Sequence, residues 1–158
     1  MREVKERLTT ELKDLEHEFR VELPREIKTA VAMGDLRENA EYHAALERQS
    51  FVKARIRQLR ERLATLNSIN MSQLPKDRAG LGSKVKLLNL DHDTEVTYEL
   101  VFPELADLER GLISIASPIG KSLVCKQEGD EVTIRTPSGE KRFELLGLET
   151  AHDRGTVF

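Results

Sequence analysis

Tryptophan is missing from this chain of 158 residues, and aromatic residues make up only 4% of it. A platform that stacks single-stranded bases needs several exposed rings, so that class of nucleic-acid binder is poorly supported. Cysteine occurs once, as Cys125, which excludes an intrachain disulfide and any Cys-rich zinc site. Its place after Leu123 and Val124 predicts a core position. No apolar run approaches the roughly 20 residues of a membrane span. An N-terminal apolar segment of the signal-peptide kind is also missing, so the expectation is a cytoplasmic protein with no membrane partner. Charge of one sign does not dominate either. The 25 Lys and Arg face 28 Asp and Glu, a net charge of -3, which argues against a protein that coats nucleic acid through bulk positive charge. The histidines at 17, 43, 92 and 152 have no metal-ligand spacing, and neither a Gly-rich phosphate loop nor a nucleophile elbow occurs.

Glycine is nearly absent from the first half, and this divides the chain. Of 9 glycines only Gly34 precedes residue 80, so the first half is helical in character and the second turn-rich. Residues 1–79 hold 16 Lys/Arg against 14 Asp/Glu, whereas residues 80–158 hold 9 against 14. A basic-leaning arm thus precedes an acidic head. In the arm, Leu8, Leu12, Leu15, Phe19, Leu23, Ile27 and Ala30 recur at spacings of four and three. After Gly34 a second stripe follows: Ala45, Val52, Ile56, Leu59, Leu63 and Leu66. Two narrow stripes separated by a short break predict an antiparallel coiled-coil hairpin whose helices bury against each other. Helices of about 30 residues would each be about 45 Å long. Pro24 removes a hydrogen bond and predicts a kink in the first helix.

The hairpin is expected over residues 1–75, a linker over 76–83 and a small α+β head over 84–158. Strand-like runs lie at 84–90, 95–102, 112–116, 131–136 and 141–146, with Pro137-Ser138-Gly139 as a hairpin turn. Ser117-Pro118 reads as an N-cap followed by proline at the first position of a short helix.

Chemistry concentrates between the two long helices, in Gly34-Asp35-Leu36-Arg37-Glu38-Asn39-Ala40-Glu41-Tyr42-His43. Asp35, Glu38 and Glu41 are spaced by three, which on a helix start would share a face. Such carboxylates could hold a hard cation such as Mg²⁺, which takes one or two carboxylates plus water and phosphate. The commoner reading of Asp35-x-x-Glu38 is a capping box, with Asp35 as N-cap, Glu38 at N3 and Gly34 closing the first helix in a left-handed conformation. A capped tip can still point one carboxylate outwards, so both readings stand. Beyond the tip, residues 48–62 hold Arg48, Lys53, Arg55, Arg57, Arg60 and Arg62 against Glu61 alone. These cations either meet a phosphate backbone or pair with Glu11, Glu16 and Glu18 across the hairpin.

The run from Gly34 to Ala45 resembles the signature of the Gre transcript-cleavage factors. Leu8-Thr9-Thr10-Glu11-Leu12, the segment 86–91, Ser117-Pro118-Ile119 and Thr136-Pro137-Ser138-Gly139-Glu140 resemble further family segments in the same order, so the likeness covers nearly the whole chain. It leaves a tail from about Thr150 to Phe158. The resemblance implies an antiparallel coiled coil joined to a head similar to FK506-binding proteins. It implies RNA polymerase as partner, with the coiled coil entering the secondary channel into which backtracked RNA extrudes its 3′ end. Asp35 and Glu38 would then be catalytic, helping to hold a weakly bound Mg²⁺ shared with polymerase and to orient water. The free protein would be neither a tight metal binder nor an enzyme by itself, and is expected to be a monomer. Gly34, Asn39, Glu41 and Tyr42 would support the tip. Arg37, Arg48, Lys53 and Arg55 are candidates for contact with nascent RNA, and Ala116, Ser117 and Pro118 for docking on polymerase.

Three departures stand out. Val31 and Leu46 replace basic residues frequent in relatives and could extend the apolar seam. Ala116 replaces a frequent Asp or Asn in the docking loop. They leave open a channel-binding regulator with weak or no cleavage, and a non-catalytic coiled-coil adaptor is a third reading. The head aromatics Tyr98, Phe102, Phe143 and Phe158 are too few for a prolyl isomerase pocket.

Overall fold

Leucine and alanine spaced at three and four, with one glycine in 79 residues, fold here as helices. A computed structural model describes residues 1–156; Val157 and Phe158 lie outside the described residues. The chain forms two compact units, Arg2–Ser68 and Ile69 onward.

The first unit is a helical hairpin. Helix α1 (Arg2–His17) leads through a π-helical turn (Glu18–Glu22) into α2 (Leu23–Ala32), and α3 (Ala40–Ser68) returns. The expected effect of Pro24 takes this specific form. Proline has no N–H to donate and sits in the first turn of α2, while the Leu23 N–H reaches back five residues to the Glu18 carbonyl. Leu23, Val52 and Ile56 form the centre of the seam, with Leu12, Leu15 and Phe19 packed on it. Full burial of each such side chain contributes about 1.5–3 kcal/mol. Val31 does not join the seam; it is 46% exposed, one position beyond the buried Ala30. Ion pairs cross the hairpin: Arg48 to Glu18 at 2.6 Å, Arg55 to Glu11 at 2.7 Å and Arg60 to Glu16 at 2.5 Å.

The second unit is α+β. Strands β1 (Lys84–Asn89), β2 (Thr94–Val101), β3 (Leu112–Ser114), β4 (Glu131–Thr136) and β5 (Gly139–Glu149) form one sheet in the order β3-β2-β1-β5-β4. All neighbours are antiparallel except β2 and β3. Thr136 pairs with Gly139, so Pro137-Ser138 is a two-residue turn, and the Thr136 hydroxyl donates to the Gly139 carbonyl at 2.8 Å. Strand β5 runs longer than its expected span because an irregularity opposite Lys86 and Leu87 absorbs Leu146 and lets pairing continue. Alternate residues (Val85 and Leu87, Val132 and Ile134, Phe143 and Leu145) face one core, closed by Leu123 of helix α4 (Pro118–Leu123). Ser117 caps α4 as read, accepting from the Gly120 N–H at 3.0 Å.

Two expectations for this unit change. Residues 76–83, expected as a linker, belong to the head: Ala79 is part of its core, Gly80, Leu81, Gly82 and Ser83 are buried, and Cys125 N–H donates to the Ala79 carbonyl at 2.8 Å. Pro, Gly and Ser mark buried turns as readily as linkers. Cys125, expected in the core, is exposed. It follows the end of α4 with φ of 68°, and the left-handed backbone there turns the chain out of the helical path. The tail from Thr150 is tied down. Thr150 and Ala151 are buried, His152 Nε2 lies 3.0 Å from the Leu74 carbonyl, and Arg154 donates to the Gly82 carbonyl at 2.9 Å. Among the described residues no helix is long and apolar enough to cross a membrane.

Candidate functional site

The tip between α2 and α3 is a seven-residue turn, residues 33–39, and not the start of a helix. Asp35 and Glu38 therefore do not share a helical face, and Asp35 is not the N-cap. The cap is Asn39. Its Oδ1 accepts from the Tyr42 N–H at 3.0 Å, and its Nδ2 donates to the Ala30 carbonyl at 2.6 Å. One amide thus satisfies an orphan donor at the start of α3 and an orphan acceptor near the end of α2, stapling the turn across its base. Gly34 has φ of 119°, a conformation that favours glycine, and its N–H points back to the Val31 carbonyl at 3.5 Å. His43 Nε2 lies 3.1 Å from the Arg37 carbonyl and ties the middle of the turn to α3. The Tyr42 and His43 rings lie tilted with centroids 5.7 Å apart.

This scaffold leaves the carboxylates exposed. Asp35 accepts only the Arg37 N–H, at 2.9 Å, in a local Asx turn. Glu38 has no hydrogen-bond or ion-pair partner among the described residues. With Glu41, Met33, Asn39 and Ala40 they line one shallow depression. Among the described residues no group of three or more His, Cys, Asp or Glu side chains converges to hold a metal ion. Two exposed carboxylates are hard oxygen donors that fit the protein's portion of a Mg²⁺ site completed by other ligands.

The four basic candidates divide. Arg48 and Arg55 are committed to Glu18 and Glu11, each through Nε and Nη2. These hydrogen bonds hold both guanidinium groups more firmly protonated, and the bond from Arg48 lowers the Glu18 carboxyl below its ordinary range. The side chains of Arg37 and Lys53 are exposed, with no such partner among the described residues. Sequence reading passed over Met33, 63% exposed beside the carboxylates, and Phe51, 59% exposed on α3. Each stands off its helix's apolar stripe, which was the available signal.

In the head, Ala116 and Pro118 are exposed, and Ser117 is half-buried. The Ser117 hydroxyl donates to the Ser114 carbonyl at 2.6 Å while capping α4, and the Ala116 N–H donates to Ser114 Oγ at 3.1 Å. The loop is thereby fixed with its methyl and pyrrolidine groups outward.

Comparison with known proteins covers both units. Residues 2–67 match the family model for Transcription elongation factor, N-terminal, and residues 74–150 that for Transcription elongation factor, GreA/GreB, C-term. Transcription elongation factor GreA of Helicobacter hepaticus is 48% identical over 141 residues, covering 89% of this chain and 86% of its own. The GreA proteins of Desulfotalea psychrophila and Helicobacter pylori are 44% and 45% identical, covering 91% and 90% of this chain and 89% and 87% of theirs. Among solved structures, GreA factor homolog 1 of Thermus thermophilus is 24% identical and aligns over 92% of this chain and 94% of its own with a TM-score of 0.42. With both units matched and relatives above 40% identity along most of its length, the chain belongs to the GreA/GreB family of transcription elongation factors.

Proposed function

We propose that this elongation factor docks on RNA polymerase, places its helical hairpin in the secondary channel and stimulates cleavage of backtracked RNA, the bond being broken in polymerase's own active site. The observation that carries this reading is the separation of roles at the tip. Asn39 performs the capping, so Asp35 and Glu38 are not consumed by structure. A Glu38 with no partner in the protein is available to a ligand outside it.

Phosphodiester hydrolysis is assisted by a divalent cation that polarises water and offsets charge on the leaving oxygen. Asp35 and Glu38 would hold that cation together with polymerase's ligands. The Asx turn keeps the Asp35 carboxylate facing the Arg37 amide, and the Asn39 staple keeps Glu38 on a short tether beside the start of α3. The turn therefore presents both groups with little ordering left to do on binding. The fixed Ala116-Ser117-Pro118 loop would form part of the docking surface of the head.

The test is RNA shortening in stalled, backtracked polymerase supplied with Mg²⁺. Wild-type protein should accelerate cleavage. Asp35→Asn and Glu38→Gln should abolish the acceleration while polymerase binding is retained. A second reading, a channel occupant with weak cleavage, draws on the exposed apolar Val31 and Met33 next to the carboxylates. Polymerase binding by the wild type without accelerated cleavage would establish that reading instead.

A further inference from the structure

A lone exposed phenylalanine is ordinary on a protein surface. Phe51 differs in its surroundings. Arg48, nearly one turn towards the tip, sets its guanidinium carbon 5.2 Å from the ring centroid and is itself fixed to Glu18 by two hydrogen bonds. The ring is braced by a cation yet remains 59% exposed.

A groove leads to it. Arg25 and Thr29 of α2 line this groove opposite Glu41, Ala44 and Arg48 of α3. Glu41 also lines the tip depression with Asp35 and Glu38, so the two concavities are continuous. Glu41, Ala44, Arg48 and Phe51 are spaced by three, four and three and share a face of α3. Eleven residues of helix from Ala40 to Phe51 span about 16 Å. Glu26 faces the groove too, and Arg48 is already paired, so the positive charge left to grip a phosphate backbone is small. Stacking on an aromatic ring needs no net charge and accepts any base.

We propose that Phe51, braced by Arg48, is a stacking subsite for one unpaired base of the displaced RNA, several nucleotides beyond the bond that the tip addresses. The inference rests on the proposed function for the presence of RNA along the arm and adds to it a contact that depends on RNA length. Cleavage is measured at subsaturating factor in polymerase complexes whose RNA is displaced by one nucleotide or by several. Phe51→Ala should slow stimulated cleavage about tenfold in the long-displacement complexes and leave the single-nucleotide complexes unchanged. Phe51→Trp should match or exceed wild type, and Phe51→Leu should behave as Phe51→Ala. Equal losses in both classes, or full activity of Phe51→Leu, would overturn the proposal in favour of an apolar contact with polymerase. A wild type that stimulates neither class defeats the cleavage reading, and a second measurement then decides this one. A photoreactive base several nucleotides into the displaced RNA, in polymerase complexes with the Asp35→Asn protein, should crosslink to α3 around Phe51. Its failure to crosslink while the factor is bound rejects the subsite.

Discussion

At the scale of single residues, Asn39 organises the tip. Asn39→Ala removes an N-cap, which costs about 1 kcal/mol, and also strands the Ala30 carbonyl. The expected outcome is a lower Tm of the hairpin together with weaker stimulated cleavage at saturating factor. Asn39→Asp keeps the acceptor for Tyr42 N–H but loses the donor to Ala30, so thermal melts should place it between Ala and wild type. This role was hidden in the sequence for a physical reason. Asp35-x-x-Glu38 satisfies the capping template, whereas recognising Asn39 requires knowing that Ala30, nine residues away, brings its carbonyl alongside. Ser117 and Pro118 were legible because their cap is local, made with Gly120 three residues on. Cys125 was misread because the apolar Leu123 and Val124 suggest a continuing buried segment, while a positive φ redirects the chain at that residue. A close approach in the head gives a further prediction. A Cβ on Gly120 would collide with the Ser114 carbonyl oxygen and Ile115 Cα, so Gly120→Ala should destabilise the head in a chemical denaturation experiment.

Among the elements, the hairpin is held by a seam and flanked by ion pairs, and these respond differently to conditions. Leu23→Ala should cost about 2–5 kcal/mol, because a fully buried side chain in the centre of the seam leaves a cavity. The Glu18–Arg48 pair is partly exposed and salt-screened, and its contribution depends on pH. The Arg48 hydrogen bond lowers the Glu18 pKa in the folded state. Its stabilisation is therefore present above the ordinary carboxyl range and is lost as pH falls through the folded value. Melting curves of wild type and Glu18→Gln should differ near neutral pH and converge in acid. The strands were legible through alternation, with Val132 and Ile134 inward and Thr133 and Arg135 outward. The extra length of β5 was not, since its irregularity is set by pairing with β1.

For the whole molecule, the two units have separate cores, and composition announced them: glycine and acidic excess on one side, heptad-like leucines and basic excess on the other. Their boundary was harder to read, because the turn residues at 76–83 are the same types that build linkers. Calorimetry offers a test at this scale. Leu23→Ala and Leu145→Ala should lower different components of the melting profile, each reporting its own core. The π-helical turn at Glu18–Glu22 also constrains how such a chain can change in length. Deleting one residue there would let α1 run into α2 as a regular helix, advancing everything beyond by about 100° around the axis and shortening it by about 1.5 Å. Leu23 would rotate out of the seam, and the carboxylates would be aimed at a different wall of whatever encloses them. Insertions and deletions in this arm are consequently tolerable only as matched whole turns in both helices, so the arm's permitted lengths form a ladder with no intermediate rungs.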